Sequence, residues 1–296
     1  MRYTLLAFVF LAVAIQTPLA VWSAQRNYWL EIEGLLKKDT PQGNPELVKY
    51  LKSLTKEQLL TALRQYSKAM EVNAAVEREG MLTNAMRILI CYAEPLKRSD
   101  LSDEEYRKMR PGKQKSLEAG LIPARFTNEA FEKVIAGISN REESPMFRYA
   151  LLDIFSTKEF YPVLSTMQKD RFLDSCLMVL NDHKSPDMVR SKCINVMSKR
   201  ILQKEYLQVI YADDVVRKLH DKNTDMQVDS LIRSKKVKLT AKTSEQLEPL
   251  RRKIDDLRTR LEDLVKDERE PESLRDEARR QLHSLNRLPP IDGSDG

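Results

Sequence analysis

Catalysis and ligand binding need groups that can converge, and this chain offers few that would do so by spacing alone. Its histidines, His183, His220 and His283, each stand in a polar stretch with no histidine four residues on and no cysteine pair nearby. The spacing that holds zinc is therefore absent. There is no Gly-x-Ser-x-Gly elbow, no Walker loop and no dinucleotide fingerprint. With 8 glycines in 296 residues, a backbone cradle for phosphate is hard to build. Asp213-Asp214 and Asp255-Asp256 are adjacent carboxylates. Neighbours on a helix do not face one another, so both pairs read as surface charges rather than an acid–base dyad. No catalytic, cofactor-binding or metal-ligating residue is assigned on these grounds, and the expectation is a non-enzymatic protein without a cofactor. One cluster has a charge-based use. Arg233, Lys235, Lys236, Lys238 and Lys242 form a basic run, a candidate contact for a lipid headgroup, a cell-wall polymer or an acidic partner. Without interleaved aromatics, the same run also reads as a solvated linker.

The elements that would position such groups are helices. Scarce glycine with abundant Leu, Glu, Lys and Arg disfavours a sandwich or barrel, which needs many turns. A formal charge of +6 and 32% charged residues describe a solvated helical surface better than a nucleic-acid footprint. Met1-Arg2 is followed by an uncharged run from Tyr3 to Ile15, closed by Gln16-Thr17-Pro18. A basic start, a short apolar stretch and small residues at Ser23-Ala24 mark a secretory signal over 1–24. The apolar run is shorter than the roughly 20 residues of a membrane span, so the mature chain is expected to lack a transmembrane segment. The expected location is secreted or periplasmic, with an uncleaved N-terminal anchor as the alternative. Cys91, Cys176 and Cys193 sit in apolar helical contexts and read as buried thiols. A Cys176–Cys193 bridge remains open.

Internal similarity is the most informative feature. Ser144-Pro145-Met146-Phe147-Arg148 leads into Leu151-Leu152-Asp153-Ile154-Phe155-Ser156, and Ser185-Pro186-Asp187-Met188-Val189-Arg190 leads into Cys193-Ile194-Asn195-Val196-Met197-Ser198. From the arginine onward the two segments align at an offset of 42. A third copy, Pro271-Glu272-Ser273-Leu274-Arg275 with Ala278 and Leu282, follows 85 residues after Arg190, about twice the first spacing. Ser144 and Ser185 are placed to cap a helix, and Pro145 and Pro186 to open it. Phe131, Val134, Ile135 and Ile138 make an apolar face ahead of the first copy, and Phe172, Cys176, Val179 and Leu180 one ahead of the second. Neither helix of such a pair buries its stripe alone; stacked pairs do. Asp153 and Asn195 hold equivalent positions, which fits a packing or turn role.

The period near 40 and the Pro–aliphatic–Arg opening of the second helix resemble HEAT-like, armadillo-type repeats. The resemblance covers 126–201 well and 244–287 loosely. It implies an all-α, irregular helix-pair array (α-solenoid) that binds macromolecules, and it carries no catalytic residues. It also implies that Arg148, Arg190 and Arg275 support packing. The remaining organisation is read as N-terminal capping helices over 25–93, a proline-punctuated insertion or linker over 94–125, helix pairs over 126–243, a C-terminal antiparallel hairpin over 244–288 and a disordered tail over 289–296. Thr55-Lys56-Glu57-Gln58 is a capping box, and Met81, Leu82, Ala85, Met86, Leu89 and Ile90 form a stripe. Asp213 to Leu219 and Val228 to Ile232 read as helical, and Val237, Leu239 and Ala241 alternate as in a short extended piece. Leu247, Leu250, Ile254, Leu257, Leu261 and Leu264 make a heptad seam that serves the hairpin or, alternatively, a homodimer. The expected function is a scaffold presenting a helical surface to a protein partner, with no nucleic-acid role. A structural oligomer and an unrecognised hydrolase of an envelope polymer are the rivals.

Overall fold

The computed structural model describes residues 26–36, 45–72, 93–120, 122–157 and 160–289. The expected signal over 1–24, Cys91 and the Met81–Ile90 stripe lie outside the described residues. Helices dominate: α1 (Tyr28–Leu36), α2 (Pro45–Ser53) and α3 (Lys56–Val72) come first. Gln58 Oε1 accepts from the Thr55 N–H at 2.8 Å while the Thr55 hydroxyl accepts from the Gln58 N–H at 3.2 Å, so the expected capping box forms. It starts α3, whose stripe of Leu59, Leu60, Leu63, Tyr66 and Met70 is buried, with the Tyr66 and Trp29 rings 4.3 Å apart.

The array follows. Helices α6 (Asn128–Ser139) and α7 (Pro145–Phe155) form one pair, and α8 (Thr166–Leu180) and α9 (Asp187–Asn195) the next. The first helices pack on each other, as do the second, and α3 packs on α7 to extend the second row. Both expected first-helix faces are buried. Between the layers, the Phe155 ring lies 5.1 Å from Phe126, 6.0 Å from Phe160 and 6.0 Å from Phe172. Gly137 brings α6 close to α7: a Cβ there would stand 2.9 Å from Leu151 Cδ1. Cys176 and Cys193 are buried free thiols, and burial, with Cys193 beside it, pushes the Cys176 thiol well up.

Two buried arginines lock the layers. Arg148 Nε donates to the Ile138 carbonyl at 2.7 Å, and its Nη2 donates to Ser185 Oγ at 3.0 Å. Arg190 Nε donates to the Leu180 carbonyl at 2.9 Å, and its two Nη atoms grip the Glu270 carboxylate at 2.5 and 2.7 Å. Each therefore ties the end of its own first helix to the residue before the proline of the next layer. This alters one expected cap. Ser144 caps α7, accepting from the Phe147 N–H at 3.2 Å. Ser185 does not cap α9, because its hydroxyl donates to Asp182 and accepts from Arg148; Pro186 takes the cap position instead. Arg275 has no following layer, pairs with Glu272 in its own helix, and leaves its buried Nε without a partner.

The third copy belongs to α14 (Glu272–Leu285), which packs directly on α9. Its double spacing is thus an excursion, not a missing layer. From α9 the chain continues through a π-helical stretch, Val196–Leu202, into α10 (Gln203–Ala212), with helical backbone angles at both joins. Short helices α11 (Asp214–His220) and α12 (Asp225–Arg233) follow, and then α13 (Ala241–Lys266), which forms the expected hairpin with α14. Residues 238–240 have no regular structure, and Ala241 opens α13, so the alternation around Val237 does not make a strand. Asp213 is not a surface charge as expected: it is buried, caps α11, and accepts from the Thr240 N–H at 2.9 Å and the Thr243 hydroxyl at 2.7 Å. Burial pushes its carboxyl up, but these bonds outweigh that and hold it below the usual range. Asp255 and Asp256 are exposed. The heptad residues Leu247, Ile254, Leu257, Leu261 and Leu264 are buried within the chain.

The 94–125 stretch is a closed excursion. Glu94–Pro95 (β1) pairs antiparallel with Pro123–Arg125 (β2) at its neck. Between them lie α4 (Asp103–Lys108), capped by Ser102 and Glu105, and α5 (Pro111–Glu118).

The Arg190–Glu270 pair predicts graded stability. Replacing Arg190 with Met strips the buried Glu270 carboxylate of its guanidinium, leaving it beside the exposed His183, and should cost about 3 kcal/mol in urea unfolding. Arg148→Met leaves only neutral groups unpaired and should cost about 1–3 kcal/mol. Arg190→Met with Glu270→Met should recover most of the loss. The Arg190 guanidinium bonded to Glu270 holds that carboxyl below its usual value, against the opposing push of burial. The pair's contribution is thus present above the unfolded value and lost as pH falls through the depressed one. The difference between wild type and Glu270→Gln should stay level above about pH 5 and shrink steadily in more acid urea titrations.

Candidate functional site

The second-helix row leaves one face uncovered by the first row, and the repeat offset identifies it. Met146, Tyr149, Ala150 and Asp153 recur one turn apart on α7; Met188, Ser191, Lys192 and Asn195 are their equivalents on α9. With Tyr66 and Ser67 of α3, Arg200 of the π stretch and Glu277 of α14, these residues line a cleft of about 590 Å³. That volume lies within the range of ligand-binding pockets.

A charge network crosses the cleft. Lys192 pairs with Asp153, and Arg200 Nη1 lies 2.7 Å from the same Asp153 oxygen. The Lys192 and Asp153 side chains are 6% and 13% exposed, and Arg200 is 36% exposed. The Lys192 ammonium also sits 4.5 Å from the centre of the Tyr149 ring, a cation–π contact. One carboxylate thus serves two cations. Glu277 is engaged by its own helix: Arg280 Nη2 donates to it at 2.6 Å and Gln281 Nε2 at 2.9 Å.

The π stretch gives Arg200 its place. On an α-helix a residue eight positions beyond Lys192 stands about 80° round the axis. Bonds from i to i+5 wind the chain more slowly, which carries Arg200 back toward the Lys192 face. The buried Ser198 hydroxyl fixes this stretch against α14, with Gln281 Oε1 at 2.8 Å and the Ile194 carbonyl at 2.7 Å.

The basic run is elsewhere. Arg233, Lys235, Lys236, Lys238 and Lys242, which run from the end of α12 to the start of α13, are all exposed, and none lines the cleft. His183 Nδ1 lies 2.8 Å from Glu270, His220 packs edge-on to Tyr211, and His283 is exposed, so the three histidines do not converge. Among the described residues no cluster of three His, Cys, Asp or Glu is placed to hold a metal ion. No helix among them is long and apolar enough to cross a membrane. Sequence reasoning did not single out Tyr149, Lys192 or Arg200. The aligned repeats held the signal for the first two, since Tyr149 and Lys192 fall on the helix faces shared with Met146 and Met188. The winding change that delivers Arg200 has no mark in the sequence pattern.

No family model matches this chain, and the search of curated proteins gives no match. The cleft must be interpreted from its own chemistry.

Asp153→Asn should cost about 3 kcal/mol in chemical denaturation, because it strips a nearly buried ammonium of its carboxylate. Adding Lys192→Met should return most of that. Arg200→Gln, at a partly exposed site, should change stability by no more than about 1 kcal/mol.

Proposed function

We propose that this chain is an exported, non-enzymatic scaffold of the HEAT or armadillo kind that presents its second-helix face to a protein partner. The observation that carries the proposal is the cleft over α3, α7, α9 and α14, where aligned repeat positions join into one surface. Two tyrosines and two methionines line it, with Met188 38% exposed. Aromatic and methionine side chains are what protein interfaces favour. Export rests on the character of residues 1–24. The basic run offers a second, separate contact for an anionic envelope surface. Homodimerisation through α13 is less favoured, since its heptad leucines are already buried in the chain.

The test is affinity capture from an extract of the protein's own cell envelope, read by mass spectrometry. A partner held by wild type should fall at least tenfold with Met188→Asp, while circular dichroism stays helical. Reversing Lys235, Lys236 and Lys238 to Glu should leave that partner in place and remove only salt-sensitive envelope material. A partner retained by the Met188 variant would sink the cleft reading. Recovery of the chain with itself alone would favour the oligomer.

A further inference from the structure

We infer that the cleft selects a short acidic segment of its partner, with a carboxylate seated on Arg200 and a neighbouring apolar side chain against Met146 and Met188. The inference rests on the proposed scaffold function and adds the chemistry of the segment bound. Arg200 spends one end of its guanidinium inside the fold: Nη1 contacts Asp153 Oδ1 at 2.7 Å and donates to Ser156 Oγ at 3.2 Å and the Asp153 carbonyl at 3.4 Å. Its Nε and Nη2 have no hydrogen-bond partner among the described residues. Those two donors form the edge of the fork that matches a carboxylate with two parallel hydrogen bonds.

The surroundings favour one isolated carboxylate. Asp153 already shares its charge between Lys192 and Arg200, so the trio carries a net positive charge that a single acidic group would offset. A polyanion laid along the same face would also meet the Glu277 carboxylate. The π stretch, pinned by Ser198 to Gln281, holds Arg200 at the cleft without help from a ligand. Beside it, Met146 and Met188 are unbranched thioethers that adapt to whichever apolar side chain accompanies the acid.

The test uses the full chain and fluorescein-labelled peptides, read by anisotropy. Each peptide carries one Leu and one Glu at a varied separation in a Gly/Ser/Ala background, beside a counterpart with Gln for Glu. At low salt the best Glu peptide should bind about tenfold or more tightly than its Gln counterpart. Arg200→Gln should erase that advantage, and Arg200→Lys, which keeps charge but not the fork, should retain only part of it. Met188→Asp should weaken both peptides, and thermal unfolding of each variant confirms that the fold is intact. Equal binding of Glu and Gln peptides, still lost in Met188→Asp, would overturn the acidic preference and leave the scaffold proposal standing. Absence of any cleft-dependent peptide binding would overturn both. Displacement of the Glu peptide by single-stranded DNA, in an Arg200-dependent way, would assign the edge to a polyanion and overturn the inference.

Discussion

A guanidinium buried between layers is the constraint on which the array depends. Stacked helix pairs bury apolar stripes readily, but hydrophobic contact is not directional and would tolerate sliding. Arg148 and Arg190 remove that freedom. Each bonds a carbonyl in the last turn of one first helix and a side chain in the turn of the next layer. A helix leaves its last carbonyls unsatisfied, so these bonds serve capping and alignment at once. The prolines fit the same design, because they open the second helices where a missing N–H leaves no gap.

The sequence foretold this part of the fold well for a physical reason. Arg148 and Arg190 recur at a fixed position among apolar neighbours, and a charged residue that repeats inside a buried stripe needs a repeating partner. The helix pairs, the Thr55 box and the C-terminal hairpin followed from periodicity and capping chemistry. Other features were out of reach. Ser185 looks like Ser144 in the sequence, yet differs because Asp182 and Arg148 compete for its hydroxyl. Asp213 looks like a surface acid beside Asp214, yet Thr240 and Thr243, 27 and 30 residues away in the chain, make it a buried anchor. Both depend on contacts between distant segments, which local pattern does not encode.

The cleft shows the same division. Its α7 and α9 residues share repeat positions, so their common face was readable once the copies were aligned. Its pairing was not, because Lys192 reaches Asp153 across 39 residues and Arg200 arrives through a local change of winding. The excursion from α10 to α12 and the start of α13 also hide the true order of layers, since α14 lies against α9 although α13 precedes it in the chain.

The locking arginines give the stack a polarity. Arg148 and Arg190 both reach forward, toward the layer on the C-terminal side. Peeling α13 and α14 away would strip Glu270 from Arg190 and leave a buried cation facing solvent. Peeling α3 away from the other end would break the partly exposed Arg64–Glu143 and Lys133–Glu57 pairs. The two ends of the array therefore fray at unequal cost, and protease nicks or truncations near the C-terminus would propagate inward where equivalent damage at the N-terminal helices would stop at α7.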